Sequence, residues 1–150
     1  MREYLFRAKA INRVKGREYR TKYKNGDWVY GLIARPYNER FPTLPMEFRN
    51  ENGVSGIEVD YKTVGQYVGI CDRNGKKVYV GDIIKVYYCK NEYVGKVVFN
   101  EKTCGFEFWY NTVVGVYGEE ATHKMNFAQF SEFEVIGNIH ENPELLDKNE

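Results

Sequence analysis

All-β is the fold class that the sequence predicts, and three observations carry it. Tyrosine and phenylalanine are abundant, 13 and 9 of 150 residues, while alanine and leucine are sparse, which suits pleated, half-buried strands better than helices. Apolar and polar residues alternate with period two over short segments. Those segments are parted by tight-turn signals, Asn25-Gly26, Asn74-Gly75 and Gly81-Asp82, where a positive φ is tolerated.

Taken in order, Arg2 to Ala10 alternates as a strand with one buried face: Tyr4, Phe6 and Ala8 fall on one side, Leu5, Arg7 and Lys9 on the other. Asn25-Gly26 then reads as a two-residue hairpin loop that sets Tyr23 opposite Trp28, Thr21 opposite Tyr30 and Tyr19 opposite Leu32. That register makes an aromatic face, with Arg20 and Lys22 projecting from the other side. Residues 35–56 contain Pro36, Pro42 and Pro45 and no sustained period, so they read as a long connection with at most a short helical turn. Its Tyr37, Phe41, Met46 and Phe48 are read either as a partner-binding arm or as apolar pins holding a loop to the surface.

Ile57, Val59 and Tyr61 resume the alternation and lead into Thr63 to Ile84, where two strands flank Asn74-Gly75 and a turn at Gly81-Asp82 launches a third. Strands follow at Ile83 to Cys89, Tyr93 to Phe99 and Phe106 to Tyr110, with polar turns between them. Asn111 to Gly118 either extends the last of these or forms an excursion, and Glu119 to Phe130 is ambiguous, with a helical turn possible around Met125. Phe133 to His140 returns as a closing strand, and Asn142 to Leu146 reads as a helical turn or tail. The expected organisation is an N-terminal β-hairpin subdomain with a Pro-containing loop over 1–62, a small five-stranded barrel over 63–142 and a C-terminal tail over 143–150. The barrel is SH3-like or similar, since Gly81-Asp82-Ile83-Ile84-Lys85-Val86 resembles such barrels.

Composition excludes several classes. No apolar run approaches the roughly 20 residues of a membrane helix, and Met1-Arg2-Glu3-Tyr4 does not open a signal peptide, so the expected location is the cytoplasm. Cys71, Cys89 and Cys104 are odd in number and far apart, which fits neither a disulfide framework nor a metal knuckle; they are expected to be buried, and no metal or other cofactor is expected. Net charge is only +1, yet it is distributed unevenly. Residues 1–24 hold nine cations against two carboxylates, net +7, and residues 132–150 hold one cation against six carboxylates, net −5. Such two-ended charge predicts a homo-oligomer in which the basic hairpin approaches an acidic tail.

Asp72-Arg73-Asn74-Gly75 lacks the later acidic ligands of a calcium loop, and Gly65, Gly69, Gly75 and Gly81 form no phosphate-cradling loop. Serine is scarce, and His140 and Glu141 point to opposite faces if they lie on a strand, so no enzyme is expected. The binding candidates are Tyr87, Tyr93 and Trp109 with Lys85 and Lys96, together with Arg20 and Lys22. Aromatics interleaved with lysines on a small barrel suit single-stranded nucleic acid, which stacks on aromatic rings and pairs its phosphates with cations. The near-neutral total charge leans toward a protein partner, either a different protein or another copy of the chain.

Four blocks resemble the YopX proteins of phages and prophages: Arg2-Glu3-Tyr4-Leu5-Phe6-Arg7-Ala8, Trp28-Val29-Tyr30-Gly31, Thr63 through Ile84, and Phe133-Glu134-Val135-Ile136-Gly137-Asn138-Ile139-His140-Glu141-Asn142-Pro143-Glu144-Leu145. They run in the family's order along nearly the whole chain, with enlarged regions at Glu39 to Gly56 and Asn111 to Lys124. The resemblance implies a small phage-borne β protein in a bacterial cytoplasm, where a protein partner would come from the host or the phage, and assigns no chemistry to any residue.

Overall fold

The computed structural model describes residues 5–11, 23–36, 38, 40, 46–50, 52–53, 56–114 and 119–147. Eleven strands account for most of them: β1 (Phe6–Lys9), β2 (Trp28–Arg35), β3 (Met46–Asn50), β4 (Ile57–Val59), β5 (Gly65–Cys71), β6 (Lys77–Tyr79), β7 (Asp82–Tyr88), β8 (Asn91–Asn100), β9 (Gly105–Val114), β10 (Glu119–Asn126) and β11 (Glu132–Asn138). Helical structure among the described residues is limited to two single 3-10 turns, Tyr61–Thr63 and Pro143–Leu145. The fold is all-β, as the sequence predicts. It divides into two compact units, Met1–Tyr67 and Val68–Glu150.

In the first unit β1, β2, β3 and β4 pair antiparallel in sequence order. The end of β1 returns to β4: Ala10 bridges Val59, Ile11 N–H donates to the Glu58 carbonyl and Asp60 N–H to the Lys9 carbonyl. Four strands thus curl around one core of Ala8, Ala10, Val29, Met46, Phe48, Ile57 and Val59. Alternation explains the assignment, because Ala8 and Ala10 point inward while Arg7 and Lys9 share the other face with Trp28 and Tyr30. Gly65 and Gln66, the start of β5, pair with Arg7 and Phe6.

The Asn25-Gly26 turn is present, closed by Asp27 N–H on the Lys24 carbonyl, and β2 pairs with β1 along Trp28 to Gly31 and with β3 from Gly31 to Arg35. Tyr19, Arg20, Thr21 and Lys22, the expected partners across that turn, lie outside the described residues. One expectation for this unit is corrected. The connection over 35–56 contains strand β3, whose Met46 and Phe48 are core side chains and neither arm nor surface pin. Tyr37 and Phe41 lie outside the described residues.

In the second unit β7, β8, β9 and β10 form an antiparallel meander, and β11 joins beside β7, so the order is β10-β9-β8-β7-β11. Of the ambiguous segments, Asn111 to Val114 belongs to β9 and Glu119 to Asn126 forms β10, with Val114 opposite Glu119. β6 lies beside β5, and their Val78 and Val68 join Ile84, Val86, Val97, Phe108, Met125, Phe130 and Phe133 in a second core. The β5–β6 loop is held by Asp72 and contains Gly75 at φ +80.

The cysteines correct a second expectation. Cys71, Cys89 and Cys104 are all exposed. Cys89 and Cys104 occupy turns at φ 49 and 50, where the backbone bends away from the core and carries the thiol into solvent.

Candidate functional site

Strand register brings most of the candidate residues to one face of the five-stranded sheet. Lys96 on β8 stands opposite Trp109 on β9, and Trp109 stands opposite Lys124 on β10, so a lysine, a tryptophan and a lysine form a row across three strands. Lys85 opposite Val94 and Tyr87 opposite Glu92 continue that face onto β7. Tyr93 does not join them. One residue out of step along β8, it lies on the opposite face, half-buried against the core with its ring 4.8 Å from that of Tyr110. There burial pushes the Tyr110 phenol pKa up, and the neighbouring Tyr93 and Tyr88 push it the same way.

Around Trp109 the contacts are specific. The Lys124 ammonium sits 4.2 Å from the indole centroid, a cation–π contact. The indole N–H donates to Glu107 Oε2 at 2.7 Å, and Glu107 also accepts from the Thr103 hydroxyl at 2.7 Å and the Asn100 amide at 3.0 Å. These hydrogen bonds, with the Lys124 charge, hold the Glu107 carboxyl below its ordinary pKa although burial opposes them. The Thr122 hydroxyl donates to Asn111 Oδ1 at 2.9 Å, tying β10 to β9.

A shallow pocket of about 240 Å³ opens here, lined by Val94, Gly95, Lys96, Trp109, Tyr110, Asn111, Thr122 and Leu146. Gly95 is required for it, since a Cβ at that position would run into the Trp109 carbonyl oxygen and force β8 away from β9. Further along the face Lys85 pairs with Glu92 at 3.6 Å, the Tyr87 hydroxyl donates to Glu134 at 3.4 Å and the Arg73 guanidinium lies 5.5 Å over the Tyr87 ring.

Sequence reasoning missed Lys124, Thr122, Asn111 and Leu146. The first three were within reach: Thr122-His123-Lys124 alternates, and pairing it with Asn111-Tyr110-Trp109 by a hairpin puts Lys124 on Trp109. Leu146 carried no signal, because it arrives from a tail that only tertiary packing places.

The first unit has a second aromatic surface. Arg7 and Lys9 lie over the Trp28 ring at 4.7 and 5.4 Å, Tyr30 and Leu32 are 43% and 51% exposed, and Leu32 stands opposite Arg49. The basic and aromatic residues of β1 and β2 share this side, whereas the Asn25-Gly26 register set its aromatics and basics on opposite sides.

For nucleophilic chemistry the nearest approach to a site is the Thr112 hydroxyl 2.8 Å from His123 Nε2, with the imidazole stacked on Tyr110. Among the described residues no group of three His, Cys, Asp or Glu side chains is arranged to hold a metal, and no helix is long and apolar enough to cross a membrane.

Residues 18–147 match the family model described as YopX protein. The chain belongs to the YopX family. A crystal structure, that of protein EF1440 from Enterococcus faecalis, is similar to this YopX chain with a TM-score of 0.51 and 20% identity, over 97% of this chain and 99% of that one. At that identity the likeness shows the shared fold. Among curated proteins none matches the chain.

Proposed function

We propose that this YopX protein is a non-enzymatic protein-interaction module of phage or prophage origin acting in a bacterial cytoplasm, with the face around Trp109 receiving a protein partner. Family membership supports the origin, and the charge of the face supports the partner. Lys85, Lys96 and Lys124 share it with Glu92, Glu107, Glu132 and Glu134, so a polyanion would meet as much repulsion as attraction. A polypeptide surface can match both signs, while Val94, Leu146 and the indole offer an apolar wall for an anchoring side chain.

The test is capture from host lysate on immobilised protein, with and without nuclease, comparing wild type with Trp109→Ala. A partner should be retained after nuclease, and the variant should bind it about tenfold or more weakly, as expected when a central aromatic anchor is lost. Retention that nuclease abolishes, or that Trp109→Ala leaves unchanged, overturns the reading.

Single-stranded nucleic acid is the second reading, and the surface that favours it is in the first unit. Tyr30 offers an exposed ring for stacking beside Trp28, with Leu32 exposed next to it and Lys9 and Arg49 on the same side. A labelled oligonucleotide should then bind with steep salt dependence and lose affinity with Tyr30→Ala, and absence of binding at low salt removes it.

A further inference from the structure

The edges of the two sheets are not equally protected. In the first unit β4 has β3 on one side and the end of β1 on the other. In the second unit β11 is paired with β7 on one side, while on the rest of its backbone Val135 N–H donates to the Asp72 carboxylate and the Phe133 carbonyl accepts from Arg73 N–H. β6 is three residues long. β10 differs from all of these. It runs eight residues, pairs with β9 in an unbroken register from Glu119 opposite Val114 to Asn126 opposite Glu107, and has no second strand beside it among the described residues.

Natural edges are usually blunted by proline, a bulge, short length or charged side chains. β10, Glu-Glu-Ala-Thr-His-Lys-Met-Asn, has none of the first three, and its charges are of both signs, so a second copy can match them. Ala121 is half-buried, Thr122, His123 and Lys124 are exposed and Met125 is buried in the core, so the middle of the strand is accessible to a neighbour.

We propose that β10 is a homodimerisation edge, pairing antiparallel with β10 of a second copy in the register centred on Thr122. This inference does not rest on the partner reading of the Trp109 face. Symmetry restricts the register. A twofold axis perpendicular to the sheet keeps each copy's outer face beside the other's outer face, so only registers centred on a residue are allowed. Centring on Thr122 sets Lys124 of each copy opposite position Glu120 of the other and pairs Thr122 with itself. Opposite charges and Thr–Thr pairs are both favourable cross-strand neighbours. Centring on Ala121 leaves Lys124 opposite Gly118 beyond the strand, and centring on His123 sets it opposite Thr122. Only the Thr122 register pairs Lys124 with a carboxylate, and it does so twice by symmetry.

The experiment measures mass across a dilution series by light scattering, then tests the register. The wild type should shift with concentration from 17.6 kDa toward twice that mass. Lys124→Glu sets two like-charge pairs across the axis and should weaken the dimer about tenfold; Glu120→Lys should do the same, and the double variant should recover the wild-type association. With Cys71, Cys89 and Cys104 replaced by serine, Thr122→Cys should crosslink to a covalent dimer on mild oxidation. Lys124→Cys should not, because in this register the two copies of residue 124 are four residues apart along the strands, roughly 14 Å and beyond disulfide reach. A 17.6 kDa mass at every concentration overturns the proposal. So does a dimer in which the charge pair fails to exchange or Thr122→Cys fails to crosslink, since the contact would then lie elsewhere.

Discussion

Both carboxylate oxygens of Asp72 are taken by backbone donors: Oδ1 accepts from Asn74 at 2.8 Å and Lys76 at 2.9 Å, and Oδ2 from Val135 at 2.9 Å. Burial alone would raise its pKa, but the three N–H groups and the Lys76 charge favour the ionised form and hold it below the ordinary 3.8. A carboxyl depressed in the folded state adds stability that is fully present above its unfolded pKa and is lost as pH falls through the folded one. Urea midpoints measured at about pH 7 and about pH 3 should therefore fall for the wild type and fall less for Asp72→Asn, which has no charge to lose. Equal acid sensitivity would mean that other carboxylates carry the effect. The thiols belong to the same scale. With all three exposed, the native protein should react with a thiol reagent at three sites, at rates within about tenfold of the unfolded chain. Fewer than three reacting groups would place a thiol out of solvent.

At the scale of the element, turns were easier to read than strand partners. The loop after β5 spans Arg73, Asn74 and Gly75, closed by Gly75 N–H on the Asp72 carbonyl and by Asp72 N–H on the Lys76 carbonyl. Of the three, only Gly75 has a positive φ, so this is a three-residue loop with one left-handed position and not a two-residue Asn-Gly turn. A Cβ there meets no atom within 4 Å, which makes the cost of substitution one of backbone strain alone. Gly75→Val should lower stability by about 1–3 kcal/mol, and an unchanged urea midpoint would contradict the loop geometry. β3 shows where local reading stops. Met46-Glu47-Phe48-Arg49-Asn50 alternates for only five residues, directly after Pro45, and so short a run is hard to tell from a loop until β2 and β4 are known to flank it.

On the scale of the whole molecule, each unit has its own core. Phe48 is fully buried in the first and Phe108 in the second, and the two clusters share no residue. Each Phe→Ala change should cost about 3–5 kcal/mol through lost transfer energy and the cavity left behind. Because the two clusters share no residue, the double variant should show the sum of the single effects to within about 0.5 kcal/mol in urea unfolding. A larger discrepancy would show that the two cores are energetically coupled.

The sequence by itself determined the all-β class, most of the strands and the family. Those rest on period-two alternation, turn residues and ordered motif blocks, all local along the chain. Tertiary structure alone decided that β2 pairs with β1 and β3, that Lys124 covers Trp109 while Tyr93 turns inward, and that Leu146 lines the pocket. Strand pairing joins residues far apart in sequence, and a shift of one residue in register moves a side chain to the other face of the sheet. The pattern of one strand says which residues are buried together. It does not say which strand lies beside it, and the face around Trp109 is made of that choice.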